Sequence, residues 1–335
     1  KVVLTNTIPT CVYRGAGRPE AINVIERLVD KAANQLGMDR FLLRQRNFIQ
    51  PNQIPYTNAV GTKYDSGEYE QNMNFALKLA KKSDFHARRN EAKKKGKLLG
   101  IGCGNYIETA TGIPPERAII VIHPENYVQV IIGTQASGQG HETSFAQMIV
   151  HLLGIPYSSI NVHEGDSNFV KFGFGSHSSR SMRIGGTLLH RAAHGIIERS
   201  KLIASHVYEA SKCDIEFDNG QFVVKGTDRS SSIFDIAREA EDNFSLPKEL
   251  RGPLMEIQQI TEMIPTYPNG CHICEVEIDI ETGKVTYTRH TGVDDVGIVI
   301  NPLLVEGQTH GAIGQGIGQA MMENINYDRQ SGQLI

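Results

Sequence analysis

The sequence predicts an α+β protein with mixed sheets. Two stretches of helical period precede residue 96, short β-rich segments alternate with helices after it, and glycine-rich turns mark the joins. With 335 residues and 37.0 kDa, there is room for two ordinary domains. Apolar residues make up 40% and charged ones 21%, so a core can be buried. A formal net charge of −3 argues against a general nucleic-acid binder. No apolar run approaches the roughly 18 residues of a membrane span. Lys1–Leu4 opens without a signal-peptide h-region and without an initiating Met, so the chain is expected to begin partway through a longer protein. Five scattered cysteines, Cys11, Cys103, Cys213, Cys271 and Cys274, do not make a disulfide framework and point to a reducing, cytoplasmic setting.

Residues 19–37 read as a helix: Pro19 suits its start, and Ala21, Val24, Ile25, Leu28, Val29 and Ala32 form an apolar stripe before Gly37. Residues 50–70 are polar and irregular. A second helix is expected over 71–95, ending in the solvated basic run Lys93–Lys95. Strands are expected at 98–102, 118–122 and 127–132, the last two joined by a turn at 123–126. A domain boundary is placed near 85–96, giving domains 1–90 and 91–335. Phe145, Met148, Ile149, Leu152 and Leu153 mark one further helical face, and Leu188, Leu189, Ala192, Ala193, Ile196 and Ile197 another. Residues 276–280 and 285–287 flank Glu281-Thr-Gly-Lys284, a hairpin signature. Cys271-x-x-Cys274 lies where the chain alternates like a strand; positions three apart there face opposite ways, so a metal pair is not expected.

Four glycine-rich segments stand at helix starts: 13–18 (Tyr-Arg-Gly-Ala-Gly-Arg), 133–142, 173–181 and 306–318. Helix N-termini offer free N–H groups and a partial positive charge, and glycine lets a ligand approach the backbone. With Gln139, Gln308, Gln315 and Gln319 interleaved, the four read as loops that hold one extended polar cofactor from several sides. The last also contains Gly311, Gly314, Gly316 and Gly318 in a helical pattern, a cost of about 1 kcal/mol each relative to Ala. Glycine-mediated helix packing is the alternative. Ordinary phosphate motifs fail: no Gly-x-x-x-x-Gly-Lys-Ser/Thr occurs, and Gly100-Ile-Gly-Cys-Gly104 opens no helix, so a Rossmann site is excluded on context. No Gly-x-Ser-x-Gly or His-Glu-x-x-His occurs either.

Segments 12–20, 138–143, 178–181, 275–283, 293–297 and 300–308 together resemble the molybdenum-binding large subunit of the xanthine oxidase family of molybdenum hydroxylases, in particular its aldehyde-oxidase and carbon-monoxide-dehydrogenase-like members. They run in the family's order along nearly the whole chain. The resemblance implies a molybdopterin-type fold and a pterin–molybdenum cofactor, in bacterial and archaeal members usually the molybdopterin cytosine dinucleotide. It implies that Gln139 and Gln308 contact the pterin, that Ser178 and Ser179 line the cofactor, and that Arg14 and Gly15 lie beside the metal. Ser137, Gly138, Gly140, His141 and Ser181 belong to the same loops, Arg180 is expected to meet a phosphate, and Ala16 and Glu108 fall where substrate-pocket residues are expected. No protein side chain is expected to bind the metal directly.

The implied chemistry is hydroxylation with water-derived oxygen, electrons leaving through iron–sulfur clusters to a flavin. The family's catalytic Glu, in a Gly-x-Gly-Glu segment, is expected beyond Ile335, so this chain alone is expected to be inactive. Gly15 stands where carbon monoxide dehydrogenases carry a copper-binding Cys, with Cys11 displaced from that position, and Ala16 where xanthine oxidases carry a Phe. These departures favour an aldehyde or N-heterocycle as substrate. Five cysteines do not give the eight that the family's clusters require, so [2Fe-2S] and FAD partner subunits, the rest of the large subunit and a dimer of the complex are expected. A catalytically silent scaffold and a nucleotide-dependent enzyme are the alternatives. His177 and His310 lie in the loops; His190 and His194, four apart, lack a third ligand at metal spacing.

Overall fold

The computed structural model describes residues 12–262 and 265–335; Cys11 lies outside them. It divides into two compact units, the first reaching through Glu108 and resuming at Thr266–Val299 and Val305–Ile335, the second comprising Thr109–Pro265 and Ile300–Leu304. The position 85–96 falls inside the first unit.

In the first unit, α1 (Arg18–Gln35) and α2 (Arg40–Gln45) precede a two-residue-strand hairpin, β1 (Tyr56–Thr57) and β2 (Lys63–Tyr64), then α3 (Tyr69–Leu79), α4 (Phe85–Lys94) and β3 (Lys97–Ile107). The expected single helix over 71–95 is thus two. Met73, Ala76 and Ala80 form one buried stripe, whereas Phe85, five residues beyond Ala80, would sit about 140° away from it on a continuous helix. A break at Lys81, which has a left-handed φ of 51°, lets both apolar faces reach the sheet. The α1 stripe also differs from expectation: Val24, Ile25 and Leu28 are exposed, and α1 is held instead by Glu26 and Asp30, which pair with buried Arg44 and with Arg40 on α2.

The second unit contains β4 (Glu116–His123), β5 (Tyr127–Ile132), α5 (His141–Leu153), β6 (Ile160–His163), α6 (Thr187–Val207), β7 (Ile215–Asp218), β8 (Gln221–Val224), β9 (Ser230–Ser232), α7 (Ile233–Asp242) and β10 (Leu254–Ile260). Its main sheet runs β10-β4-β5-β6, antiparallel except for the parallel pair β5–β6 bridged by α5; β7-β8-β9 form a separate sheet. Residues of the two expected helical faces, Phe145, Ile149 and Leu153 on α5 and Leu188, Leu189, Ala192, Ala193 and Ile196 on α6, are buried against Ala118, Ile120, Ile122, Val128, Val130 and Ile132 of the strands.

The chain then returns to the first unit as β11 (Asn269–Asp279) and β12 (Val285–Asp295), which with β3 make an antiparallel sheet of order β12-β11-β3. The expected hairpin at 281–284 is present, Asp279 accepting from the Glu281 and Thr282 N–H groups. Gly100–Gly104 lies within β3 rather than after a strand. Cys271 is buried on the helix-packed face among Phe41, Met73 and Ile273, and Cys274 points away from it, as expected for a strand. The last helix is α8 (Pro302–Met321), capped by the Asn301 side chain on the Leu304 N–H at 3.0 Å.

Candidate cofactor site

The four segments come together as two pairs. In the first unit, residues 13–18 form a tight turn in which Gly15, Ala16 and Gly17 all have positive φ (93°, 47°, 84°), leading into α1 with Pro19 in its first turn. The fourth segment is not a loop: residues 306–318 lie wholly inside α8, so the reading of that stretch as a loop is corrected. Asn301 starts the helix and Pro302 preorganises its first turn. Gln308, Gly311, Gln315 and Gln319 follow one another at helical spacing down a single face of α8. Arg14 Nη2 donates to the Gln308 carbonyl (3.0 Å) and side-chain oxygen (3.1 Å); the Gln315 amide donates to the Arg14 carbonyl (3.4 Å), and Gln319 to Glu20 (2.6 Å). A Cβ at Gly311 would sit 3.2 Å from the Arg14 guanidinium, which explains that glycine; Gly314 and Gly316 face open space. Arg18 pairs with Glu108 at 2.9 Å, placing the expected pocket residue at the end of the same turn as exposed Ala16.

In the second unit, loops 133–142 and 173–181 lie against each other. Gly133 and Gly173 are back to back: a Cβ on Gly133 would fall 2.5 Å from the Gly173 Cα. Gln139 stitches them, accepting from the Ser137 N–H and donating to Ser176 Oγ (3.2 Å), which in turn accepts from Ser181 Oγ (3.0 Å). Gly138, Gly140, Gly175, Ser178 and Ser179 all have positive φ, and for serine this is rare. A Cβ on Gly138 or Gly175 would meet nothing, so the backbone is open to a visitor there. Gly140 starts α5, and Leu304 at the head of α8 packs on it. The third loop enters α6 through a π-helical turn, Ser181–Gly186.

Arg180 departs from expectation. It is fully buried: Nε donates to the Ile113 carbonyl, Nη1 to Glu116 (2.9 Å) and the Gly175 carbonyl (2.6 Å), and Nη2 to the Pro115 carbonyl (3.1 Å). It is therefore the internal strut of the third loop and not a phosphate contact. Glu116 went unnoticed in the sequence, although it holds the inward phase of Ala118, Ile120 and Ile122 on β4, where a carboxylate demands a cation. His141 is buried beneath the second loop, its Nδ1 2.9 Å from the Thr134 carbonyl and 3.7 Å from Glu164. Burial opposes its charge, but Glu164 and that carbonyl outweigh burial and hold the imidazole above its ordinary value. His190 and His194 meet with tilted rings on an exposed face, and no group of three metal-ligating side chains occurs among the described residues.

Among the described residues, three buried polar atoms along the second pair have no hydrogen-bond partner: Thr134 Oγ1, His177 Nε2 and Glu164 Oε2, which has only the His141 ring at 3.7 Å. Buried polar groups are normally satisfied. Unmatched atoms, exposed loop amides and a His held toward its charged form fit a large polar, anionic cofactor.

Such loop-built cradles are those of a cofactor-binding fold. Residues 78–335 and 1–48 match two families each described as a Molybdopterin cofactor-binding domain. The carbon monoxide dehydrogenase large chain of Hydrogenophaga pseudoflava is 35% identical over 352 residues, which is 100% of this chain and 44% of that one. The solved Cu,Mo-CO dehydrogenase superposes with a TM-score of 0.89 at 34% identity, over 96% of this chain and 43% of that one. Quinoline 2-oxidoreductase from Pseudomonas putida 86 gives 0.89 at 33% identity, over 96% and 43%. The chain thus spans less than half the length of its relatives. It belongs to the molybdopterin cofactor-binding domains of the xanthine oxidase family of molybdenum hydroxylases.

Proposed function

We propose that this chain is the cofactor-holding part of a molybdenum hydroxylase that oxidises an aldehyde or an N-heterocycle with oxygen from water, acting in the cytoplasm. The carrying observation is the pairing of the four segments. Arg14 meets Gln308 across 294 positions of sequence, and Gln139 stitches the second loop to the third. A quinoline-oxidising relative and the absence of Cys at Gly15 support the N-heterocycle or aldehyde over carbon monoxide.

The cofactor, when bound, supplies the metal centre for two-electron hydroxylation. The chain's own share is binding and orientation. Gln139 and Gln308 present amides to the pterin; Ser137, Gly138, Gly140, Ser178, Ser179 and Ser181 present hydroxyls and N–H groups. His141 offsets anionic charge, with Glu164 keeping its proton in place. Arg14 and Gly15 shape the wall beside the metal, while Ala16 and Glu108 border the substrate. Arg180 and Glu116 keep the third loop in shape. Residues 1–90 complete a first cofactor-binding domain and 91–335 a second. The nucleotide form is the cytosine dinucleotide, and [2Fe-2S] and FAD subunits, the remainder of the large subunit and a second copy of the complex are the partners.

The test is to purify the complete native complex and measure molybdenum and the cytidine monophosphate released on hydrolysis. Both are expected in equal amounts; finding neither in active material overturns the reading.

A further inference from the structure

The face of the β12-β11-β3 sheet turned away from the helices carries a line of titratable side chains that no contact above uses. Tyr106 on β3 donates its hydroxyl to Asp294 Oδ1 (2.7 Å). His272 on β11 stands 2.8 Å from the same oxygen through Nε2, and 2.7 Å from His290 Nε2 through Nδ1. His290 Nδ1 meets the Tyr287 hydroxyl, and Cys274 lies within hydrogen-bond reach of Tyr287. The sheet is built to hold these rings. A Cβ on Gly292 would fall 2.9 Å from His272 Cε1, and one on Gly270 would fall 2.7 Å from the Tyr106 ring. Gly104 and Gly102 of the Gly-x-Gly-x-Gly stretch lie opposite His272 and Cys274. A Cβ at Gly102 or Gly104 would meet nothing, so the sheet face is open beside the array.

With both imidazoles neutral, the donors and acceptors fix one arrangement of protons. Asp294 accepts only, so His272 carries its proton on Nε2 and accepts at Nδ1 from His290 Nε2–H; His290 then accepts at Nδ1 from Tyr287. Every donor points toward Asp294. Burial first, and then the neighbouring His272, hold His290 down at about 4, so it stays neutral near pH 7. Burial raises Asp294, but hydrogen bonds from His272 and Tyr106 outweigh it and keep it ionised. Burial also keeps Cys274 a thiol, and burial first, then Asp294, with Glu108 and Asp295 adding to them, keep Tyr106 a phenol. Tyr106 lines a cavity of about 340 Å³ together with Ile22, Ile25, Phe48 and Tyr69 and the polar Glu26, Asn47 and Asn105.

We propose that this array is a proton relay that ends on Asp294, beside Tyr106 in the cavity wall. The Tyr287 O–H breaks as His290 Nδ1–H forms, His290 Nε2–H breaks as His272 Nδ1–H forms, and His272 Nε2–H breaks as the Asp294 O–H forms. A solvent proton restores Tyr287, so the net change is one proton gained by Asp294 and no charge left on either imidazole. A protonated Asp294 no longer needs the Tyr106 hydroxyl, which is then free to donate to an acceptor atom on an otherwise apolar ligand in the cavity.

Histidine-15N NMR of the complete protein tests the relay whether or not the enzyme holds molybdenum. Both histidines are expected as neutral Nε2–H tautomers at pH 7, and His290→Gln is expected to change the tautomer of His272 while leaving the melting temperature nearly unchanged. Two histidines titrating independently near 6.5, or either carrying Nδ1–H, overturn it. In loaded enzyme, where the argument also rests on the hydroxylase reading, His290→Gln should lower kcat about 10-fold and added imidazole should restore part of it. An unchanged kcat overturns the relay as a functional path.

Discussion

Arg180 shows how much one side chain decides. Its guanidinium ties 113–116 to the Gly175 carbonyl and pairs with Glu116, all inside the protein. Removing one partner of a buried pair strands the other, at a cost of about 3–5 kcal/mol. Arg180→Met is therefore expected to lower unfolding free energy by that amount in urea titration, with loss of bound molybdenum as the loop reorders. His141 gives a pH-dependent expectation. Its folded value lies above the unfolded one of about 6.5, so the native state binds the proton more tightly. Its contribution is complete below that unfolded value and fades as pH rises through the folded one. The destabilisation caused by His141→Gln should accordingly be larger at pH 6 than at pH 9 in paired denaturation curves; an effect that grows with pH contradicts the assignment.

Two glycine-bearing elements make opposite predictions. Gly314 and Gly316 sit in the interior of α8 with open space where a Cβ would be. Alanine at either should stabilise the protein by about 0.5–1 kcal/mol, read as a shift in the urea midpoint. Gly133→Ala has no such room against Gly173 and should destabilise by about 1–3 kcal/mol. Elements with a strong inward phase were legible in the sequence: α5, α6, β4, β5 and the β11–β12 hairpin stand where periodicity and turn residues placed them. The continuous helix over 71–95 was not, because the change in apolar phase between Ala80 and Phe85 is visible only once two helices must cover one face of the sheet. The α1 stripe was misjudged because Glu26 and Asp30, not Val24 and Leu28, make its contacts. The 306–318 segment read as a loop because glycine is the same letter in a turn and in a helix.

On the scale of the whole chain, family membership was legible because several motifs occur in one order along almost its entire length. The fine positions of the site were less so. Arg180 looks from sequence like any loop arginine, and only the inward phase of Glu116 hints at the buried pair. Glu164 meets His141 from outside any helix or strand, and the Tyr106–Asp294 contact of the array joins strands 188 positions apart, which no local pattern encodes.

The central proposal is that each of the two pairs of segments contributes to cofactor retention. It is tested most directly by measuring molybdenum and released cytidine monophosphate per polypeptide in native complexes carrying Gln139→Ala, Gln308→Ala and both together, with melting temperatures recorded alongside. The account expects each single variant to lose the metal and the nucleotide in the same proportion, and the double variant to fall below either. If one variant keeps full molybdenum while remaining folded, its pair of segments does not hold the cofactor, and the account is contradicted.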